Sequence, residues 1–262
     1  MKNAKRLLPF IFLLLAGSAF ANKYKAAKRD YYEIKLYRLA SNEQVRKVDE
    51  YLKNAYLPAL HRAGISKVGV YHPVGNDTSS DKKIYVFIPL TSLEAMNTIE
   101  ELPVKDKQLQ KDGDAYWNAA YNASPYKRIE TIVLKAFPLM GSYNTPTLTG
   151  NKTERVYELR SYEGGTEQLY RQKVKMFNEG GEISLFKRLE FNAVFYAEVI
   201  AGSHMPNLMY MTSFNNMADR DAHWKIFGAD PEWNKLKVVP EYLNTVSRND
   251  TQLLNPAEFS EL

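Results

Sequence analysis

The segments YYEIKLY at 31–37 and VYELRSY at 156–162 superpose with Tyr32 on Tyr157, an offset of 125 residues. At the same offset KVGVYHPV (67–74) falls on NAVFYAEV (192–199), with Tyr71 on Tyr196, and KIYVFIPL (83–90) falls on LMYMTSFN (208–215), with Tyr85 on Tyr210. Three strand-like segments in one register read as two copies of one supersecondary unit. Two further landmarks repeat at a slightly shorter offset, DAYWNAA at 114–120 and DPEWNKL at 230–236, with Trp117 against Trp233. Between the copies, PLMGSYNTPTLTGNKT is rich in proline, glycine and small polar residues and reads as a linker at 138–153.

Each copy has the same coarse order. Tyr32, Ile34 and Leu36 alternate with Glu33 and Lys35, and Tyr157 and Leu159 with Glu158 and Arg160, which marks a strand with two unlike faces. A helix follows, capped by Ser41 and stopped by Gly64 in the first copy; in the second it begins near Thr166 and breaks at Gly180-Gly181. A hairpin, a helical region carrying the tryptophan motif and a last strand complete the order βαββαβ, twice. The expected fold class is therefore α+β, two tandem ferredoxin-like halves. Each four-stranded sheet would carry its helices on one face, and the bare faces would close on each other as an internal pseudo-dimer, a barrel with helices outside. The halves are placed at 30–137 and 154–256, with a short tail at 257–262.

Before the first half, MKNAKRLLPFIFLLLAGSAFA has Lys2, Lys5 and Arg6 ahead of the apolar run Leu7–Leu15, then Ala19-Phe20-Ala21. This is the pattern of a secretory signal peptide, 1–21, too short for a comfortable membrane span, and it implies a periplasmic or secreted protein with no stable membrane insertion after cleavage. A basic arm follows at 22–29. The chain is +5 overall, and removal of the leader leaves about +2, too little for a nucleic-acid binder. There is no cysteine, so neither disulfide nor thiolate chemistry is open to it.

VYELRSY opening a half and FGADPEWNKL at 227–236 after the hairpin resemble the NIPSNAP family of the dimeric α/β-barrel superfamily. The resemblance covers roughly 30–255 and is closer in the second half. It implies a dimeric α/β barrel built within one chain, and it brings no well-established activity. Related barrels include cofactor-independent monooxygenases, haem-degrading enzymes and small-molecule binders. Family members often start the third strand with a His-Leu-Trp-like triplet; Asn207-Leu208-Met209 stands here instead, so nothing that needs a strand histidine is carried over.

If Tyr32, Ile34 and Leu36 pack under the helices, then Glu33, Lys35 and Tyr37 face the space between the sheets, joined there by Glu158, Arg160 and Tyr162. Two carboxylates and two cations near one axis could orient an anionic or phenolic ligand; a cross-strand ion-pair ladder is the other reading of the same residues. No catalytic residue is assigned. His61, His72, His204 and His223 are scattered without ligand spacing, so neither a metal nor a cofactor is expected, and His72 beside Pro73 reads as a turn or surface residue. Met205, Met209, Met211 and Met217 read as core filler rather than as a copper or haem site. Asp230 should cap a short helix with Pro231 in its first turn and Trp233 pinned to the barrel, and Trp117 should repeat this in the first copy.

The favoured reading is a binding module holding a small molecule between the two sheets. A cofactor-independent oxygenase using Glu33 or Glu158, and a non-catalytic assembly protein with a packed barrel, stay open beside it. The intrachain pairing is compatible with further homo-oligomers.

Overall fold

The computed structural model describes residues 28–262, so the expected leader, and the basic arm apart from Lys28 and Arg29, lie outside the described residues. The first half runs β1 (Tyr31–Leu39), α1 (Asn42–Tyr51), α2 (Leu57–Arg62), β2 (Gly69–Pro73), β3 (Lys82–Leu90), α3 (Glu94–Lys105), α4 (Lys107–Asp112), α5 (Asp114–Trp117) and β4 (Arg128–Ala136). The second runs β5 (Val156–Glu163), α6 (Glu167–Asn178), α7 (Glu182–Arg188), β6 (Ala193–Ala201), β7 (Asn207–Phe214), α8 (Met217–Ala229), α9 (Pro231–Leu236) and β8 (Arg248–Pro256).

Local chemistry places most helix ends. The Ser41 hydroxyl accepts the Gln44 N–H and the Thr166 hydroxyl accepts the Leu169 N–H, each satisfying a donor that the first helical turn leaves unpaired. Gly64 (φ 82°) and Gly181 (φ 93°) take the left-handed backbone that ends α2 and starts α7. Between α1 and α2 the chain makes a π turn over Leu52–Tyr56, in which the Leu57 N–H reaches back to the Leu52 carbonyl. Pro58 explains the fault: it has no N–H for the Asn54 carbonyl, and the wider turn makes room for its ring.

The strands close into one barrel in the order β1-β3-β2-β8-β5-β7-β6-β4. Each half supplies four antiparallel neighbours, and the seams are β2 against β8 and β4 against β6. The two halves thus bury their bare faces on each other, as the repeat implies.

The register of the repeat needs correction. Lys35 stands opposite Val86 where Arg160 stands opposite Tyr210, and Val70 pairs with Val86 where Tyr196 pairs with Tyr210. Tyr196 and Tyr210 therefore correspond to Val70 and Val86, not to Tyr71 and Tyr85. Each hairpin strand is one residue out of step with the alignment, and a one-residue slip moves a side chain to the other face. Tyr71 and Tyr85 point into the barrel, while Tyr196 and Tyr210 pack under the helices.

The core has three parts. Tyr32, Ile34, Leu36, Phe87, Tyr157, Phe195, Met209 and Met211 fill the barrel with their neighbours. A second cluster joins α1, α2 and α3 to the first sheet, and a third joins α6, α7 and α8 to the second. Residues 257–262 follow the same frame: the Ala257 N–H donates to Val70 O, the Glu261 N–H to Val68 O, and Leu262 packs into the interior cluster.

The two tryptophan motifs are not equivalent. Asp230 caps α9 as expected, accepting from the Glu232 and Trp233 N–H groups, and Trp233 lies 4.6 Å from Phe227. Asp114 instead sits inside α5 and accepts from the Asn118 amide, the position before the helix being Gly113, and Trp117 is 46% exposed against the edges of Tyr51 and Tyr116. Without a proline after the acid and with the acid one residue later in the turn, the first copy has a different entry into its helix.

Candidate functional site

The six candidate residues do not face the space between the sheets. Tyr32, Ile34 and Leu36 occupy the barrel interior, so Glu33, Lys35 and Tyr37 point outward beneath α1 to α3, and Glu158, Arg160 and Tyr162 point outward beneath α6 to α8. Alternation shows that a strand has two unlike faces, but in a closed barrel covered by helices both are buried: Glu33 and Glu158 are each 0% exposed. β1 and β5 lie four strands apart around the barrel, so the two sets meet neither as a shared pocket nor as a ladder.

Partners explain why Glu158 turns outward. A helix can bring donors to a buried carboxylate, whereas a sealed barrel interior cannot. Glu158 accepts from Arg160 Nε (2.6 Å), Arg220 Nε (2.7 Å), Arg220 Nη2 (3.2 Å) and Trp224 Nε1 (2.7 Å). Arg220 and Trp224 lie one turn apart on α8, and the Arg160 guanidinium lies 3.9 Å over the Trp224 ring. Arg160 also donates to the Tyr162 hydroxyl (3.2 Å), which is 2.8 Å from that of Tyr210. Burial alone would raise the Glu158 carboxyl, but the Arg220 hydrogen bonds, the Arg160 charge and the Trp224 N–H outweigh it and hold the group below the ordinary carboxylate range. A carboxylate bound this way is a structural anion with no lone pair free for a proton.

Glu33 is its opposite. Its nearest cation is Lys35 at 3.6 Å, and neither of its oxygens has a hydrogen-bond partner among the described residues. Burial raises its carboxyl, Lys35 pulls the other way, and Glu100 adds to the rise. Lys35 donates to Tyr56 in the π turn at 3.4 Å, and Tyr37 packs separately against Tyr126. Glu33 and Lys35 thus sit together, and Tyr37 belongs to the surrounding aromatic cluster.

The barrel interior is occupied by side chains. Phe87 stacks on Phe195 with ring centres 5.0 Å apart, Tyr71 tilts against Tyr157 at 4.7 Å, and Met209 and Met211 fill between them. An eight-stranded barrel is just wide enough to be filled in this way. The hydroxyls of Tyr32, Tyr71 and Tyr157 are buried there without a partner among the described residues. No group of three or more acidic or histidine side chains among the described residues is placed to hold a metal ion.

Room for a ligand lies outside the barrel, on the second half. A cleft of about 740 Å³ has Ile183, Phe186, Phe191 and Tyr196 at its base and the segment 139–147 as one wall. That wall is fastened to β6 at both ends, by the Phe137 N–H on Tyr196 O (2.8 Å) and the Asn144 N–H on Val194 O (2.9 Å). Its lip carries Lys187, Glu190 and Asn192. Glu190 (φ 55°) and Asn192 (φ 43°) hold left-handed backbone on either side of Phe191, a strain of the kind that persists where the surroundings over-determine a conformation.

Residues 157–261 match the family model described as NIPSNAP. No curated protein matches the chain. Among solved structures, a provisionally assigned monooxygenase of Lactobacillus acidophilus shares 12% identity, with TM-score 0.55, over 87% of this chain and 94% of that one. A provisionally assigned monooxygenase of Fusobacterium nucleatum shares 6%, with TM-score 0.58, over 87% and 92%. An anthrone oxidase-like protein shares 11%, with TM-score 0.53, over 88% and 93%. At these identities the shared property is the fold. The stretch 157–261 thus matches the NIPSNAP family model and forms, with the first half, an eight-stranded α/β barrel.

Proposed function

We propose that the protein binds a small, flat, largely apolar molecule in the cleft between the 139–147 wall and the α7–β6 face. The observation that carries this reading is a preformed space of about 740 Å³ over an aromatic base with a polar lip, within the range typical of small-molecule sites. The wall is pinned by backbone hydrogen bonds, which lowers the ordering cost of binding. Asn144 and Asn192 supply amide groups for a phenolic or other hydrogen-bonding edge, and Lys187 a cation. Export, read from Lys2, Lys5, Arg6 and Ala19-Phe20-Ala21, would place this binding outside the cytoplasm.

The names of the fold neighbours suggest an oxygenase. That reading needs a base beside an inter-sheet cavity, yet the interior clusters of side chains occupy that space and Glu158 is committed to four hydrogen bonds beneath α8. Binding is therefore the better-supported function.

The test is native mass spectrometry on protein purified without organic extraction, beside the cleft-filling variant Ala193→Trp. A discrete bound mass in the native protein, lost in Ala193→Trp, is the expected result. A bound mass that survives this substitution, or a clean apo mass that added phenols leave unchanged, contradicts the proposal.

A further inference from the structure

A second cleft, of about 590 Å³, opens on the first half where β2 meets β8. Its sides come from Asn42, Val45, Arg46, Asp49 and Glu50 on α1 with Lys53 in the π turn that follows, from Asn76 and Asp77 after β2, and from Pro256 at the end of β8 with the next three residues. His72, the fourth residue of β2, lies among them with Nε2 2.9 Å from Asp49 Oδ1. The carboxylate selects the tautomer: an ionised Asp49 accepts from Nε2–H, so Nδ1 keeps its lone pair and has no partner among the described residues.

The loop beside it is rigidly built. The Lys82 ammonium donates to the carbonyls of Asn76 (3.0 Å), Asp77 (2.7 Å) and Ser79 (2.8 Å), and the Asn42 amide donates to Asp77 O (3.2 Å). A buried lysine spent on three carbonyls holds this wall to β3, and Asn42 ties it to α1, before any ligand arrives.

We infer that this cleft is a general-base site, in which His72, oriented by Asp49, removes a proton from a neutral, partly apolar small molecule. The charges lining the cleft set the substrate class. Arg46 lies 3.7 Å from Glu50, and Asp49 is engaged with His72, while Asp77 and Glu258 form no ion pair among the described residues. With His72 neutral these groups disfavour an anion, and Val45, Pro256, Ala257 and Phe259 offer apolar contact. In the step, the substrate's C–H or O–H bond breaks, the proton passes to Nδ1, and the electron pair left behind lies in a cleft that also contains the Lys53 ammonium. Asp49 acts as a positioning residue that also stabilises the imidazolium.

The probe is 5-nitrobenzisoxazole with the whole chain. Removal of its ring proton by the base, with N–O cleavage, releases a coloured cyanophenolate and needs no co-reactant. The expected result is saturable turnover above buffer, falling at least tenfold in His72→Gln. Asp49→Asn keeps the imidazole but removes the carboxylate that orients it, so kcat is expected to fall several-fold with KM little changed. Lys53→Met is expected to lower kcat more than it changes KM. Turnover no faster than buffer, turnover unchanged in His72→Gln, or a kcat that Asp49→Asn does not lower would each overturn the assignment.

Discussion

Arg220→Met is expected to lower the unfolding free energy by about 3 kcal/mol, the low end of the cost of breaking a buried ion pair, because Arg160 and Trp224 stay with Glu158. For a chain of this size that is about 6–12 °C in Tm. The loss depends on pH. A Glu158 carboxyl held below its ordinary value contributes stability above the unfolded carboxylate range and loses it as pH falls through the folded value. The deficit of Arg220→Met is therefore greatest near neutrality and narrows in acid. Glu33 gives the opposite sign. Its raised carboxyl binds more protons folded than unfolded, so stability falls as pH rises from the ordinary carboxylate range through the folded value. Glu33→Gln is expected to be more stable than the native chain at pH 7 by about 1–3 kcal/mol, with no gain in acid. Urea titrations of both variants at pH 3 and pH 7 check the pair. Equal effects at the two pH values would contradict the distinction between a satisfied and an orphaned carboxylate.

Phe195→Ala is expected to cost about 3–5 kcal/mol, the transfer and cavity cost of deleting a fully buried ring. Phe195 stacks on Phe87 and tilts against Tyr32 at 5.4 Å, so its loss leaves a hole where the two halves meet. The substitution also bears on function. A ligand held between the sheets would lose its neighbours, whereas one held on the α7–β6 face would not. Ligand affinity is expected to survive in Phe195→Ala under conditions where the variant remains folded, as measured by titration against the native protein.

The parts of the fold legible in the sequence are those decided locally. Ser41, Thr166 and Asp230 cap helices through hydrogen bonds to residues two or three positions on, so a short window of residues suffices to place them. The double βαββαβ order was legible for the same reason. The faces were not: Tyr157 and Glu158 are both fully buried, and which of them meets the helices depends on Arg220 and Trp224 some sixty residues beyond Glu158. A signal was available in RDAHW, an arginine and a tryptophan one turn apart, both able to donate to a carboxylate on a strand with two buried faces. The register of the hairpins was obscured because tyrosines stand on both faces, which lets Tyr85 match Tyr210 although the two point opposite ways. The cleft wall at 139–147 could not be read at all. It is linker in composition, and what fastens it to β6 is backbone hydrogen bonding, which leaves no trace in residue type.

The central claim is that ligand space lies outside the barrel, on the α7–β6 face, and not between the sheets. Anomalous diffraction from crystals soaked with 4-bromophenol locates a bound ring directly. The account expects a bromine peak in the cleft against Phe186, Phe191 and Tyr196. A peak inside the barrel beside Tyr71 and Tyr157 would contradict it.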